Sequence, residues 1–358
     1  MKLTARVVAL VLSIAVMLAL PVGAAADEIR DRQWHLAALD IPAAQRLSQG
    51  EGVLVAVADT GVDARRGELA AAVVAGKEFG EQAGGDGRTD TDGHGTAMAG
   101  LIAGRGLASN SGVLGVAPKA QILPVRTIRS EFGGSPVNLG AGIDWAVSQK
   151  AKVICIAAGT SEYPEVRRAV EAAIAADVVV VAAAGNTTNT RQVAFPANVP
   201  GVVAVAGTDK SGNHAAISTT GPEVLLAAPA VAIVSTGAFD RYVTGEGTSN
   251  STAIVAGVVA LVRSKFPQLP AAEVVRRLTA TAVDRGKPGR DDEFGYGIVN
   301  PVGALTASVP AASSSASASP SPSPGSSQRP GRSPVVWAVV GAGLVLGCAG
   351  LVAWRRRR

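Results

Sequence analysis

Three residues of the sequence carry side chains that can act together on a carbonyl group: Asp59, His94 and Ser249. A serine hydroxyl is an effective nucleophile only when an imidazole accepts its proton and a carboxylate holds that imidazole in the productive tautomer. The chain order Asp, His, Ser is one of the three known orders of this constellation. We therefore predict Ser249 as the nucleophile, His94 as the general base and Asp59 as the group that orients His94.

The sequence around each residue indicates the element that positions it. The three stretches are glycine-rich and read VAVADTGVD (55–63), DGHGTAMAG (92–100) and GEGTSNSTAIVAG (245–257). The apolar run Val53–Ala58 is typical of a buried parallel strand. This strand places Asp59 at its carboxyl end, where open α/β sheets bind ligands. The small and apolar residues after His94, and the apolar run Ala253–Val262, predict two buried helices that begin beside the candidate side chains.

A fourth stretch, VVVVAAAGNTT (178–188), is typical of a buried strand that ends at Gly185 and Asn186. Each candidate also has a structural interpretation when taken alone. Asn186 is an ordinary turn residue after glycine, Asp59 a turn residue or helix cap, and Ser249 a helix N-cap. The occurrence of all four stretches in one order favours the catalytic interpretation.

Together these stretches resemble the subtilases, the subtilisin-like serine proteases. GVLGVAPKAQILPVR (112–126) and FGYGIVNPVGAL (294–305) extend the similarity, which covers about residues 30–305. The resemblance implies an α/β fold, the subtilisin-like three-layer fold with a mainly parallel central sheet. It also implies that the Asn186 side chain donates a hydrogen bond to the oxyanion, beside the backbone N–H of Ser249.

The resemblance further implies that Ala157, Ala158 and Gly159 bind substrate, since this segment corresponds to the family's S-x-G segment, whose backbone pairs with an extended peptide. No cofactor is required by the implied mechanism. Calcium is common in the wider family, but no acidic loop of this sequence has a clear spacing of calcium ligands, so no metal site is predicted.

The stretch after Ser249 departs from the usual family pattern. Most subtilases have Met-Ala-x-Pro where this chain has Asn250, Ser251, Thr252 and Ala253. This departure keeps a second interpretation open, that of a catalytically silent subtilase-fold scaffold of a membrane secretion complex. Reaction with a fluorophosphonate probe distinguishes an enzyme from such a scaffold.

Composition predicts one large α/β domain with appendages. The chain has 358 residues, of which 47% are hydrophobic, and its apolar runs alternate with helical stretches at 164–176 and 271–280. The formal net charge is +5, but eight basic residues and no acidic residue lie outside residues 27–310. That leaves 25 basic against 28 acidic residues within those bounds. Because the positive excess belongs to the termini, nucleic acid is not a predicted partner.

Both termini carry sequences typical of export and anchoring. Residues 1–26 predict a signal peptide, because their apolar run of 14 residues is short for an uncleaved membrane span. Residues 335–354 carry no charge and are long enough to cross a membrane. The arginines 355–358 that follow predict a cytoplasmic carboxyl terminus. Residues 309–334, rich in Ser, Pro and Ala, predict an extended linker, so the peptidase domain at 27–308 is predicted to be extracellular.

This layout is similar to that of the mycosins, membrane-anchored subtilases associated with actinobacterial type VII secretion. The stretches HGTAMAGLIAG and GVAPKAQILPVR also look like mycosin sequence. The resemblance implies a single-pass protein of the cell membrane, with a protein or peptide substrate and a type VII secretion membrane complex as partner. Many mycosins carry disulfides in the protease domain. Here Cys348 lies in the predicted span, and Cys155 is predicted to be an inert buried thiol.

The predicted topology is testable by fractionation. We expect the mature protein to begin at Asp27 and to remain with the membrane fraction, because residues 335–358 anchor it. A chain that stops at residue 310 should be released in soluble form. Recovery of the full-length protein as a soluble cytoplasmic species would refute this topology.

Overall fold

The computed structural model of the protein describes residues 24–80, 83–108, 111–130, 133–134 and 136–310. Contacts divide the chain into two units, residues 1–312 and 313–358. The predicted signal peptide as far as residue 23, the predicted linker beyond residue 310, the predicted membrane helix and the basic tail lie outside the described residues. Across the part of the chain that is described, no helix combines the length and apolarity that crossing a membrane requires.

The strands follow the chain in the order β1 Leu54–Asp59, β2 Lys77–Glu78, β3 Arg105–Leu107, β4 Ser111–Leu114, β5 Gln121–Arg126, β6 Ile128–Ser130, β7 Gly133–Gly134, β8 Val153–Ile156, β9 Val179–Ala183, β10 Val203–Thr208, β11 Val224–Pro229, β12 Ile233–Thr236 and β13 Tyr242–Gly245. The helices are α1 Ala24–Asp31, α2 Trp34–Ala38, α3 Ile41–Leu47, α4 His94–Ala103, α5 Pro136–Ser148, α6 Pro164–Ala175, α7 Thr248–Lys265, α8 Ala271–Thr281 and α9 Pro301–Thr306. The helices predicted at 164–176 and 271–280 are therefore present as α6 and α8.

The central element is a seven-stranded sheet with the order β11-β10-β9-β8-β1-β5-β2. Every pairing within it is parallel. The chain leaves β1 to form β5 on one side and then returns to form β8 on the other. The strand order therefore reverses at β1, and the crevice outside the carboxyl end of such a strand is where open α/β sheets bind ligands. Asp59 is the last residue of β1.

Both faces of the sheet are covered, because successive side chains of a strand point to opposite faces. In β1, Val55 and Val57 belong to one core cluster, while Ala56 and Ala58 belong to the other. The first cluster contains residues of α4 and α7, and the second contains residues of α5 and α6. The predicted α/β architecture with helices on both faces of a parallel sheet is confirmed.

His35, in the short helix α2, is a buried titratable residue outside the sheet. It is wholly buried, and neither ring nitrogen has a hydrogen-bond partner. Burial without a partner disfavours the charged imidazolium and lowers the pKa of His35 to about 3. The unfolded chain binds a proton at this residue below about pH 6.5, whereas the folded protein does not until near pH 3.

We therefore expect His35 to make the fold sensitive to acid. Its contribution to stability is fully present above about pH 6.5 and is lost as the pH falls, by at most about 1.4 kcal/mol per pH unit. His35→Leu, which cannot be protonated, should lose less free energy of unfolding than the wild type between pH 6.5 and pH 4. Urea unfolding at several pH values measures the difference, and parallel curves for the two proteins would contradict the assignment.

Candidate active site

Asp59 and His94 form a hydrogen-bonded pair at the carboxyl end of β1. The Nδ1 atom of His94 lies 2.8 Å from Oδ1 and 3.0 Å from Oδ2 of Asp59. The Asp59 carboxylate is fully buried, and the His94 side chain is 11% exposed. Because carboxylate oxygens accept hydrogen bonds, Nδ1 carries the proton and Nε2 is left as the acceptor. This is the tautomer that a general base requires.

His94 is held in place because its helix begins at a tightly bonded turn. Asp90 accepts hydrogen bonds at one oxygen from the backbone N–H groups of Asp92 and Gly93, at 3.0 and 2.9 Å. Its other oxygen accepts from the backbone N–H and the hydroxyl of Thr96, at 3.0 and 2.6 Å. Asp90 thus ties the residues on both sides of His94 to one buried carboxylate. Sequence reasoning missed this residue, although an aspartate before a glycine turn is a recognisable signal.

Gly95 lets the start of α4 approach β1 closely. A Cβ atom at this position would lie 2.1 Å from the Gly61 carbonyl oxygen and 3.1 Å from the Asp59 Cβ. The Gly95 N–H also donates to the Thr60 hydroxyl at 2.9 Å. Any side chain here would therefore move His94 away from Asp59.

Ser249 is the second residue of α7, the helix predicted from the apolar run Ala253–Val262. Gly247, the residue before the helix, has φ +146°, a backbone conformation that favours glycine. Ser249 and His94 line the same cleft of about 670 Å³, together with Asn186 and Gly159. The structure thus brings the predicted nucleophile, base and oxyanion donor to one cavity, although they are far apart in the sequence.

Asn186 follows β9 and faces the start of α7. Its side-chain oxygen accepts from the Thr248 N–H at 3.0 Å and from the Thr248 hydroxyl at 3.1 Å. A backbone N–H can only donate, so this contact fixes which end of the amide faces Thr248. The NH2 end of Asn186 is consequently available to a group in the cleft. Sequence reasoning missed Thr248 as the residue that sets this orientation.

The cleft is lined by small residues and by a few larger apolar ones. Ala157, Ala158 and Gly159, which follow β8, line the cleft, as do Ala183 and Gly185. Further residues of the lining are Thr127, Ile128, Leu139, Asn189, Gln192 and Ala194, which the sequence did not single out. Among the described residues of this lining, His94 alone is ionisable.

The other candidate groups do not join the cleft. Cys155 is buried in β8, and burial, with a smaller effect from the negative charge of Asp59, raises the pKa of its thiol. Such a thiol is unreactive, as predicted. Within the ranges that the structure describes, no group of three or more His, Cys, Asp and Glu side chains is arranged to hold a metal ion.

Comparison with known proteins identifies the family. The sequence model of the subtilase family, peptidase S8, matches residues 50–297. A thermostable alkaline protease of Halalkalibacterium halodurans is 38% identical over 252 residues, covering 70% of this chain and 67% of that protein. Mycosin-3 of Mycobacterium tuberculosis is 36% identical over 337 residues, with 76% and 71% covered. A solved structure of MycP3 protease from the type VII (ESX-3) secretion system superposes with a TM-score of 0.64 at 33% identity. It covers 76% of this chain and 88% of that one.

The role of Asp90 in holding His94 is testable by Asp90→Asn. The amide cannot accept from the Thr96 N–H with its nitrogen, so a buried donor loses its partner at a cost of about 1–3 kcal/mol. We expect a lower melting temperature and at least a roughly tenfold loss of kcat/KM, because His94 is displaced. Asp92→Asn is the matched control. The exposed Asp92 accepts from the His94 N–H, and asparagine retains that acceptor. Equal activity of the two variants would contradict this role.

Proposed function

Because this chain belongs to the subtilase family, we propose that it is a membrane-anchored, extracytoplasmic serine endopeptidase that uses Asp59, His94 and Ser249 as its triad. Membership of the family makes it a subtilisin-like serine protease. The observation that carries the assignment of the triad is the hydrogen-bonded pair of Asp59 and His94 at the edge of the cleft that Ser249 also lines. No cofactor takes part in the chemistry proposed.

In the proposed first step, the Oγ atom of Ser249 attacks the carbonyl carbon of the substrate while Nε2 of His94 accepts the hydroxyl proton. Asp59 keeps the imidazole in its tautomer and stabilises the imidazolium that forms. His94 then donates the proton to the leaving amine, and an acyl-enzyme remains on Ser249. In the second half, His94 accepts a proton from the water that attacks the ester, and it returns this proton to the Oγ atom of Ser249 as the acid is released.

The negative charge on the substrate oxygen requires donors that are in place beforehand. We assign this role to the side-chain NH2 of Asn186 and the backbone N–H of Ser249, at the first turn of α7. The free N–H groups of a helix start favour a negative charge. Thr248 supports the assignment, because its contact with the oxygen end of Asn186 leaves the NH2 end available to the cleft.

The substrate and location belong to the same proposal. Ala157, Ala158 and Gly159, which line the cleft, bind an extended peptide through their backbone. The substrate is a secreted protein that the enzyme processes outside the membrane, and the membrane complex of a type VII system is its partner. Support comes from the likeness to mycosin-3 and to MycP3, whose structure is described as coming from a type VII secretion system. The uncharged segment 335–354 and its basic flank support the anchor.

A silent scaffold is the second candidate, and the altered stretch after Ser249 is the observation that favours it. The two functions differ in their reaction with a fluorophosphonate probe, which forms a covalent bond only with an activated serine. Ser249→Ala should abolish both labelling and peptidase activity in the full-length protein while leaving the melting temperature nearly unchanged. A folded wild-type protein that neither reacts nor cleaves any peptide of a diverse library would establish the scaffold instead.

Asn186 gives a separate test of the oxyanion site. Asn186→Ala should remain reactive toward the probe but lower kcat by about a hundredfold or more, because one oxyanion donor is lost. Asn186→Asp is the matched variant, since it keeps an acceptor for Thr248, loses the donor and adds a negative charge beside the oxyanion. We expect Asn186→Asp to be at least as slow as Asn186→Ala. A near-normal rate for Asn186→Asp would mean that Asn186 acts only by supporting Thr248.

A further inference from the structure

The residues that follow Ser249 carry polar side chains, and each of them hydrogen-bonds a backbone carbonyl. The Asn250 NH2 donates to the Ala230 carbonyl at 3.2 Å. The Ser251 hydroxyl lies within reach of the Ala228 and Pro229 carbonyls at 2.9 and 3.1 Å. Thr252 donates to the carbonyl of Thr248 in its own helix. The stretch that departs from the family pattern is therefore bonded to the end of β11 and to its own first turn.

The contact of Asn250 differs from the others because its acceptor, the Ala230 carbonyl, also bonds a residue on the other side of Ser249. The Ala230 carbonyl also accepts the N–H of Gly247 at 3.1 Å. One carbonyl oxygen is thus bonded by the residue two positions before Ser249 and by the residue directly after it. Ala230 is itself fixed, since its N–H donates to the Thr208 carbonyl at the end of β10 at 2.9 Å.

Thr248 provides the opposing attachment. Its N–H and hydroxyl both donate to Asn186, and its hydroxyl oxygen accepts from the Gly185 N–H at 3.2 Å. Ser249 consequently lies between a residue bonded toward β9 and a residue bonded toward β11. With both neighbours attached, the backbone of Ser249 is restrained relative to the two strands.

We propose that Asn250 is a positioning residue for the nucleophile, acting through the Ala230 carbonyl that it shares with Gly247. The proposal rests on the assignment of Ser249 as the nucleophile. Asn250 is 7% exposed and is not among the residues that line the cleft, so it acts on the reaction through the backbone. The loss of its amide leaves the Ala230 carbonyl bonded to Gly247, so the fold is largely retained while the turn at Ser249 becomes less restricted. A displacement of about 1 Å at a reacting group is enough to cost up to a hundredfold in rate.

The test uses the full-length protein and compares Asn250→Leu with Ser251→Ala. Leucine has as many side-chain heavy atoms as asparagine, although it is larger, and it cannot donate. Ser251→Ala removes hydrogen bonds to the neighbouring carbonyls of Ala228 and Pro229 without touching the turn at Ser249. For Asn250→Leu we expect the second-order rate of fluorophosphonate labelling and kcat to fall by about tenfold or more, with KM changed by less than about twofold. Ser251→Ala should lower the melting temperature and leave both rates within about twofold of wild type.

Further variants keep the result decisive. If Asn250→Leu does not fold, Asn250→Ala removes the same donor without adding volume and is measured in the same way. Wild-type labelling rates in Asn250→Leu and Asn250→Ala would overturn the proposal. Asn250→Met tests packing against hydrogen bonding. Full recovery of the rate by methionine would show that volume at this position suffices, and would also overturn the proposal.

The two proposals fail in different ways. An unreactive wild-type protein removes the assignment of the nucleophile, and with it the role of Asn250. A reactive wild type that loses labelling in Ser249→Ala, combined with an unaffected Asn250→Leu, removes only the role of Asn250.

Discussion

The buried carboxylate of Asp59 is the constraint on which the arrangement of the site depends. A carboxylate in the interior is costly unless hydrogen-bond donors surround it. Here the donors are the backbone N–H of Thr60, at 2.8 Å, and the ring of His94. The second donor, His94, lies 35 positions later in the chain and is the first residue of α4. The hydrogen bond that Asp59 requires therefore holds the start of α4 against β1. The sheet topology contributes by placing Asp59 where the strand order reverses and the chain leaves a crevice.

Around the cleft, His94 and Asn186 are each oriented by a nearby residue through hydrogen bonds that involve backbone groups. Asp90 holds the turn before His94, and Thr248 holds the oxygen end of Asn186. Hydroxyls of β12 attach α4 from outside, since Ser235 and Thr236 donate to carbonyls of its first turn at 2.7 and 3.0 Å. These contacts are polar but buried, so each has a specific geometry and is costly to leave unmade. Precision at the site comes from these oriented groups more than from the residues that would meet the substrate.

The sequence predicted the elements that bear the site because their signals are local. The apolar run before Asp59, the small residues after His94 and the long apolar run after Ser249 each specify a strand or helix by periodicity and length. Resemblance to the family supplied the roles proposed for Asn186 and for the segment at 157–159. An aspartate before a glycine marks a turn at Asp90, but neither its partners nor those of Asn250 could be predicted in this way. Their partners depend on turns and on strand ends that only the folded chain brings within reach. The shape of the cleft, including the placement of Ala194 and Gln192 in its lining, likewise depends on segments that carry no periodic pattern.

Helix α7 combines two properties that are often separate in enzymes. Every residue from Asn250 to Arg263 is buried, and the helix packs against β8, β9, β10 and β11 as well as α4. Segments of this kind exchange their amide hydrogens only through the largest unfolding events, whereas loops and chain ends open at much lower free energy. Ser249, the proposed nucleophile, lies in the first turn of this helix and lines the cleft. Its backbone is therefore carried by an element that opens late, although its side chain faces the cleft. Local fluctuations of the surface loops would leave this helix, and with it the position of Ser249, in place.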